Sequence, residues 1–297
     1  MSGLLKFARR PSIVTILGVA ILILALAGLA ILSPAFEWSR PGHTRPTLVI
    51  CALIAVSGLG FLLVGKAVIE GRGLALGPII AIGLGLRLVL AGSTPIWEDD
   101  FYRYLWDGAA VSRGLDPYRV SPLMAGDPTA PAPWQALSRD EADLRERVNH
   151  PQFRTLYPAV AQGAFAAAWT LGGGLLGLRL VILAAEAAGL FVLLVLLRRQ
   201  GLPLAWSALY WLNPLAIVSF VNGVHFDAIL IPLIAGAGLA MTTQCKGIGS
   251  ALIGLAAGVK LWPILLWPLM MRIAGRTGWV RSCACAGNST LSSLSAR

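Results

Sequence analysis

The 297-residue chain is 57% hydrophobic and 13% charged, and its mean hydropathy is +0.74. A typical soluble domain carries about 25% charged residues, so this composition excludes an ordinary soluble enzyme and predicts a polytopic membrane protein. The formal charge of +10 is unevenly distributed: residues 93–156 hold seven arginines and ten acids, net −3, and the remainder holds seventeen bases and four acids, net +13. This split is typical of basic cytoplasmic loops and argues against a nucleic-acid partner.

Residues 1–92 are predicted to form three transmembrane spans. The first, Ile13–Leu32, follows a basic N-terminus and is long enough to cross a bilayer. A cleaved signal peptide is the alternative, but the run is longer than a typical signal h-region, and a poor cleavage site follows it. The next spans are Thr47–Ile69 and Leu74–Gly92, and the positive-inside rule places the basic turn between them in the cytoplasm. Residues 93–156 are therefore expected on the extracytoplasmic side.

This extracytoplasmic loop holds ten of the fourteen carboxylates in the chain. Because a carboxylate in hydrocarbon costs ~2.5–3.5 kcal/mol, such a concentration of acids predicts an aqueous site at the membrane surface. The ten acids are Glu98, Asp99, Asp100, Asp107, Asp116, Asp127, Asp140, Glu141, Asp143 and Glu146.

Two juxtamembrane helices are predicted within the loop. Residues 98–113 alternate apolar and charged faces at helical spacing, and Asp99, Arg103 and Asp107 stand at i, i+4 steps that allow an ion-pair ladder. Gly114 can end this helix in a left-handed conformation. A proline-rich passage follows and is predicted to be non-helical, because prolines interrupt it repeatedly. Ser138–Glu141 matches a capping box and is predicted to begin the second helix.

Residues 157–271 are predicted to form about five further transmembrane or re-entrant segments, which makes about eight in total. Polar breaks are expected at Asn213-Pro214 and at Asn222–Asp227, and Gly172-Gly173-Gly174 is interpreted as a bend and not as a nucleotide-binding loop. Residues 272–297 form a polar tail that is disordered or the product of a frameshift. The five segments are 157–174, 178–197, 204–221, 227–243 and 248–271.

Several motifs, in order, resemble those of the GT-C superfamily of glycosyltransferases. Glu98–Gly108 reads EDDFYRYLWDG and Gly114–Tyr118 reads GLDPY. These are similar to the first external loop of bacterial polyprenyl-phosphate-mannose-dependent alpha-mannosyltransferases. The chain differs from that pattern at Ala159 and Ser219, and it has fewer spans than such enzymes usually have. The further motifs are His150-Pro151, Leu156-Tyr157-Pro158, Asn213-Pro214-Leu215, Gly223–Ala228 and Gly258–Pro263.

The resemblance implies an all-α, GT-C-like membrane enzyme of the bacterial cytoplasmic (inner) membrane and cell envelope. It would transfer a sugar, mannose first and arabinose second, from a polyprenyl-phosphate donor to an extracytoplasmic glycan or lipid acceptor with inversion. No cofactor is assigned, and a divalent metal is left open. Two alternatives stand beside it: a transporter or flippase of lipid-linked saccharides, and a truncated inactive homologue. A flippase would not need the acidic surface helix and would be expected to show internal repeats, which the sequence lacks.

The loop acids are the candidate catalytic residues. Asp100 matches the acid of the family motif and is the candidate general base, and Asp99, the second candidate catalytic residue, or Glu98 would orient it or an acceptor hydroxyl. The alternative for Asp100 is a solvated acid at a helix start.

The remaining candidates would bind substrate. Lys260 lies in an apolar run, where it would bind the donor phosphate or extend toward the interface, and Arg87 has the same two interpretations. His225 and Asp227 would line a sugar pocket or pair at a helix end. Arg103 is interpreted as an ion-pair partner in preference to a phosphate ligand. Tyr118 is a candidate because it belongs to the GLDPY motif.

Overall fold

A computed structural model describes residues 11–96, 99–242 and 245–274, and these residues form helices and no strands. They fold as two compact units. Unit 1 comprises the described parts of Met1–Phe101 and Leu193–His225, and unit 2 comprises those of Tyr102–Val192 and Phe226–Arg297. The α-helices are α1 Ile13–Leu32, α2 Thr47–Ile69, α3 Leu76–Ala91, α4 Asp100–Ser112, α5 Pro122–Ala125, α6 Ala132–Asp140, α7 Ala142–Arg147, α8 Ala159–Gly172, α9 Gly174–Arg199, α10 Ala208–Trp211, α11 Pro214–Ala216, α12 Leu230–Thr242, α13 Lys246–Val259 and α14 Trp267–Ala274.

In unit 1, α1 and α2 pack along each other and have the bounds that the sequence predicted. Ser12 caps α1 by accepting a hydrogen bond from the Thr15 amide. The two helices approach each other closely where Gly18 faces Gly60. A Cβ on Gly18 would lie 2.8 Å from the Gly60 carbonyl oxygen, so this contact requires glycine, as small-residue interfaces between membrane helices commonly do.

The predicted span 204–221 is broken in unit 1. It consists of a 3-10 turn (Leu204–Ser207), α10, α11 and a π-helix (Ile217–Asn222), and the two halves meet at a bend of 47°. Pro214 cannot donate a backbone hydrogen bond, and Asn213 caps the new helix by accepting from the Leu215 amide. The break predicted at Asn213-Pro214 is confirmed.

The loop part of unit 2 is more helical than predicted. It carries four helices, α4 to α7, where two were expected. The proline-rich passage forms α5 and the start of α6, because prolines in a first helical turn remove only amides that would be unpaired there. The capping-box prediction is wrong, since Ser138 lies inside α6 and accepts a hydrogen bond from Arg145.

The later helices of unit 2 are separated by breaks, two of which the sequence predicted. Gly173 and Gly174 have φ of 61° and 54°, which confirms the bend between α8 and α9. Asp227 lies in a 3-10 turn, Phe226–Ile229, ahead of α12. The prediction of one continuous segment over 248–271 is wrong, because α13 ends at Val259 and Lys260 is extended, with φ −144° and ψ 146°.

Three helices in the described part of the chain are long and apolar enough to cross a membrane: Ile13–Phe36, Thr47–Ile69 and Gly174–Arg199. A fourth arises if Leu204–Trp211 and Pro214–Asn222 form one bent span. The third predicted span is a shorter apolar helix of 16 residues, α3. The chain is thus an all-α membrane protein, and of the predicted polar tail only residues up to Ala274 are described.

Candidate active site

Two acids stand where α4 begins. Asp100 is the first residue of the helix and Asp99 precedes it, and both side chains are partly buried. The start of a helix favours negative charge, because unpaired backbone amides give it a partial positive charge. Glu98, the third predicted acid of this group, lies outside the described residues.

Arg103 and Asp107 form a buried ion pair on α4 in unit 2. The Arg103 Nε donates to Asp107 Oδ1 at 3.1 Å, which confirms the pairing predicted from their i, i+4 spacing. Arg103 also donates to the carbonyl oxygen of Phe153 at 2.9 Å. Burial raises the pKa of Asp107 above its ordinary value, against the lowering effects of the Arg103 charge and of hydrogen bonds. These contacts favour an ion-pair role for Arg103 over phosphate binding.

Gln162 connects this pair to the chain that leads into α8. Its Nε2 donates to Asp107 Oδ2 at 3.0 Å and to Thr155 Oγ1 at 2.8 Å. Tyr118, a predicted substrate ligand, donates its hydroxyl to the Tyr157 carbonyl oxygen at 2.7 Å. The pKa of Tyr118 is raised by burial and by the negative charges of nearby carboxylates. Sequence reasoning assigned no role to Gln162, although a glutamine in an otherwise apolar helix is the available signal.

The other loop acids with described partners hold the loop together. The Asp127 carboxylate accepts hydrogen bonds from Thr129, which lowers its pKa. Arg113 pairs with Asp140 and Glu141 at 2.6 and 3.3 Å. Arg145 of α7 donates to Ser138 of α6 and so links these two helices.

The structure brings two predicted site residues of unit 2 together, Asp227 and Lys260. The Lys260 Nζ donates to both Asp227 oxygens, at 2.8 and 2.7 Å, and the two side chains are 47% and 31% exposed. Asp227 lies in a 3-10 turn and Lys260 directly follows the end of α13. Neither residue therefore lies within a continuous apolar helix. Lys260 therefore has an anionic partner within the protein.

Four aromatic rings border this ion pair. Tyr104 stacks on Phe165 with ring centroids 4.7 Å apart, and Tyr157 and Phe226 meet Phe165 edge-on at 5.4 and 4.6 Å. The cavity that they line with Asp227 and Lys260 has a volume of about 10 Å³. That is room for about one water molecule, so the rings form a packed wall beside the ion pair and not an open sugar site.

His225 lines a larger cavity in unit 1, with a volume of about 250 Å³. The cavity lies against the π-helix Ile217–Asn222, a rare conformation that is frequent at functional sites. Val224 beside His225 is buried with φ of 58°, which is strained for a β-branched residue. The lining residues are Cys51, Ile54, Ile96, Leu215, Val218, Ser219, Gly223 and His225.

Arg87 is fully buried in unit 1. Its guanidinium donates to the carbonyl oxygens of Gly83 and Trp211 at 3.1 and 2.7 Å, and it lies 3.6 Å from the centroid of the Trp211 ring. Because protein encloses the guanidinium, a donor phosphate would reach it only after these contacts open. Arg87 is a weaker phosphate-binding candidate than Lys260, and its burial does not fit extension toward the interface.

Asn222, at the end of the π-helix, is a further residue to which the sequence prediction gave no individual role. It is fully buried and hydrogen-bonds to the segment before the acidic helix start.

A divalent metal would require a binding site among the side chains of the protein. No three His, Cys, Asp or Glu side chains of the described ranges lie close enough together to hold an ion. The structure thus names no ligand set for the divalent metal that the sequence left open.

Two comparisons with known proteins bear on this site. A family model described as "Alpha-(1->6)-mannopyranosyltransferase, N-terminal domain" matches residues 11–276. Alpha-(1->6)-mannopyranosyltransferase A of Mycobacterium tuberculosis (strain ATCC 25618 / H37Rv) is 27% identical over 257 residues, which cover 82% of this chain and 47% of that protein. The chain therefore spans about half the length of this curated relative. No solved structure matches the chain.

Proposed function

The chain belongs to the alpha-(1->6)-mannopyranosyltransferase family, and we propose that it transfers mannose from a polyprenyl-phosphate donor to an extracytoplasmic glycan or lipid acceptor with inversion. The observation that carries the proposal is the pair of partly buried acids, Asp99 and Asp100, at the start of α4.

In the proposed reaction an acceptor hydroxyl oxygen attacks the anomeric carbon of mannose. The bond between this carbon and the phosphate oxygen breaks, and the phosphate leaves with the bonding electrons. Asp100 takes the hydroxyl proton as the new carbon–oxygen bond forms, and attack from the face opposite the phosphate inverts the anomeric centre. Asp99 orients Asp100 or the acceptor hydroxyl, and Glu98 has the same role.

A cation must receive the leaving phosphate, and Lys260 is our candidate. Its ammonium is half exposed and paired with Asp227. The donor phosphate would compete with this carboxylate for the ammonium. His225, at the 250 Å³ cavity of unit 1, is a candidate for the sugar.

The proposal places the acidic loop on the extracytoplasmic face of the bacterial inner membrane. The net negative charge of residues 93–156 and the basic residues ahead of α1 support this orientation. About eight membrane segments follow if the shorter apolar helices Leu76–Ala91, Phe226–Thr242 and Lys246–Val259 also enter the bilayer.

Transfer of radiolabelled mannose from polyprenyl-phosphate-mannose to membrane acceptors tests the proposal. We expect a labelled covalent product in membranes that contain the protein, and none with Asp100→Asn. Movement of labelled donor across the membrane without a covalent product would instead identify a flippase. A wild-type chain that forms no product and moves no donor would identify an inactive homologue.

A further inference from the structure

Asn222 uses its whole carboxamide to hold one short segment of unit 1. Its Oδ1 accepts from the Ile96 amide at 3.0 Å, and its Nδ2 donates to Ser93 Oγ and to the Thr94 carbonyl oxygen, both at 2.8 Å. The side chain is fully buried. A buried amide with its acceptor and both donors satisfied fixes its partners in one geometry, because any shift leaves a polar group unpaired at a high cost.

A second buried side chain holds the same segment. Ser33, at the C-terminal end of α1, accepts a hydrogen bond from the Thr94 amide at 3.0 Å and donates to the Ala30 carbonyl oxygen at 2.7 Å. Residues 93–96 are thus anchored to the end of α1 and to the end of the π-helix. We refer to residues 93–96, held in this way, as the anchored segment.

The anchored segment leads directly to the acidic helix start. Ile96 precedes Asp100 by four positions, and a fully extended chain advances at most ~3.6 Å per residue, so Asp100 lies within about 14 Å of the Ile96 anchor. The anchor therefore limits where the two carboxylates of Asp99 and Asp100 can lie. Asn222 belongs to a π-helix, a rare conformation that is frequent at functional sites.

We propose that Asn222 is a positioning residue that holds Asp99 and Asp100 in the geometry needed for transfer. The proposal rests on the proposed role of Asp100 as the general base. Asn222 contacts the anchored segment, which precedes the base in the chain, and not the base itself. Loss of the anchor is therefore expected to lower the rate of the chemical step and to leave donor affinity nearly unchanged.

Two substitutions separate the parts of this anchor. Asn222→Leu has a similar size and removes all three hydrogen bonds. Asn222→Asp keeps an acceptor for the Ile96 amide but cannot donate to Ser93 and Thr94 when ionised. The matched control is Asn213→Ser, because the Asn213 side chain accepts a hydrogen bond from the Leu215 amide, and serine can cap a helix equally well without adding a charge.

Hydrogen exchange of a peptide that covers residues 93–101, measured alongside transfer kinetics in membranes, tests the proposal. For Asn222→Leu we expect faster exchange in this peptide and a fall in kcat of about 10- to 100-fold, since small misplacements of a catalytic group cost that much. Asn222→Asp should show a smaller fall in kcat. Donor KM should change by less than about twofold in both variants, and Asn213→Ser should behave as wild type.

Faster exchange with an unchanged kcat would overturn the positioning role, and so would unchanged exchange. A general rise in exchange across all helices would also overturn it, because Asn222 would then be only a stabilising core residue. If Asn222→Leu does not fold, the same criteria apply to the kinetics of Asn222→Asp. A wild-type protein that transfers no mannose, with the local exchange change present, would refute the proposed function and leave the anchor intact.

Discussion

Lys260 and Asp227 form an ion pair in which one ammonium contacts both carboxylate oxygens, at 2.8 and 2.7 Å. The expectation that Lys260 binds phosphate began from the cost of an unpaired ammonium in an apolar span. The structure supplies an anion 33 positions away in sequence. A donor phosphate that binds Lys260, as proposed, would compete with Asp227, and this competition can be measured.

Lys260→Met is expected to raise the donor KM by about tenfold or more, with less effect on the acceptor KM, since a hydrogen bond to a charged group is worth about 1.5–3 kcal/mol. Asp227→Asn removes the carboxylate that competes with the donor phosphate for the Lys260 ammonium, so this variant should not have a raised donor KM. Steady-state transfer kinetics with varied donor concentration provide the measurement.

A variant with both substitutions distinguishes phosphate binding by Lys260 from a role in which Lys260 only neutralises the charge of Asp227. If Lys260 binds phosphate, Lys260→Met combined with Asp227→Asn remains as impaired as Lys260→Met alone. A return of the double variant to near wild-type KM would show that Lys260 serves only to pair with Asp227.

Asp107→Asn is expected to destabilise the protein by about 1–3 kcal/mol, because the amide nitrogen would face one of the two buried donors, Arg103 and Gln162, from which the carboxyl group accepts hydrogen bonds. Asp140→Asn is the matched control. Asp140 also pairs with an arginine, but its side chain is 57% exposed, so its loss should cost less than about 1 kcal/mol. Thermal unfolding in detergent would compare the two variants, and equal midpoints would contradict the difference in burial.

The pH dependence of this stability difference follows from the pKa of Asp107. Burial raises this pKa above its ordinary value of 3.8, so the folded protein binds the proton more tightly than the unfolded chain. The contribution of the carboxyl is fully present below 3.8 and is lost as the pH rises through the raised value. The unfolding midpoint of wild type should therefore exceed that of Asp107→Asn by more in acid than at neutral pH. A gap that widens toward neutral pH would contradict this.

The proposed orientation predicts that exposed loop positions react with an impermeant maleimide in intact cells. In a background with its cysteines changed to serine, Ser112→Cys and Glu146→Cys should label, because both positions are exposed. Arg72→Cys, in the turn predicted to be cytoplasmic, is the control that should label only after permeabilisation. The reverse pattern would overturn the orientation.

Local sequence signals predicted those parts of the fold that depend on neighbouring residues. The α1 and α2 bounds follow from uninterrupted apolar runs, and the Arg103–Asp107 pair follows from helical spacing. Gly114 has φ of 73°, as its predicted role at the end of α4 requires. Each of these features is decided within a few residues.

The errors come from competition between local signals and from contacts distant in sequence. Ser138 matched a capping box, but α6 starts earlier, at Ala132. The apolar run over 248–271 hid the break at Lys260, although Pro263 is a local signal for it. Asn222 contacts Ile96 and Ser93, which lie 126 and 129 positions earlier in the sequence. A single sequence contains no local pattern for such a contact.

Asp100 is the proposed general base, and kcat for Asp100→Asn tests this role most directly. Asparagine preserves the size of the side chain and can cap a helix. If Asp100 has only a structural role, Asp100→Asn should therefore cost at most about 1 kcal/mol of stability and should change activity little. Loss of a general base predicts a fall in kcat of about 100-fold or more with expression and donor binding nearly intact. Asp99→Asn, measured in parallel, should have a smaller effect. Near wild-type turnover by Asp100→Asn would contradict the assignment.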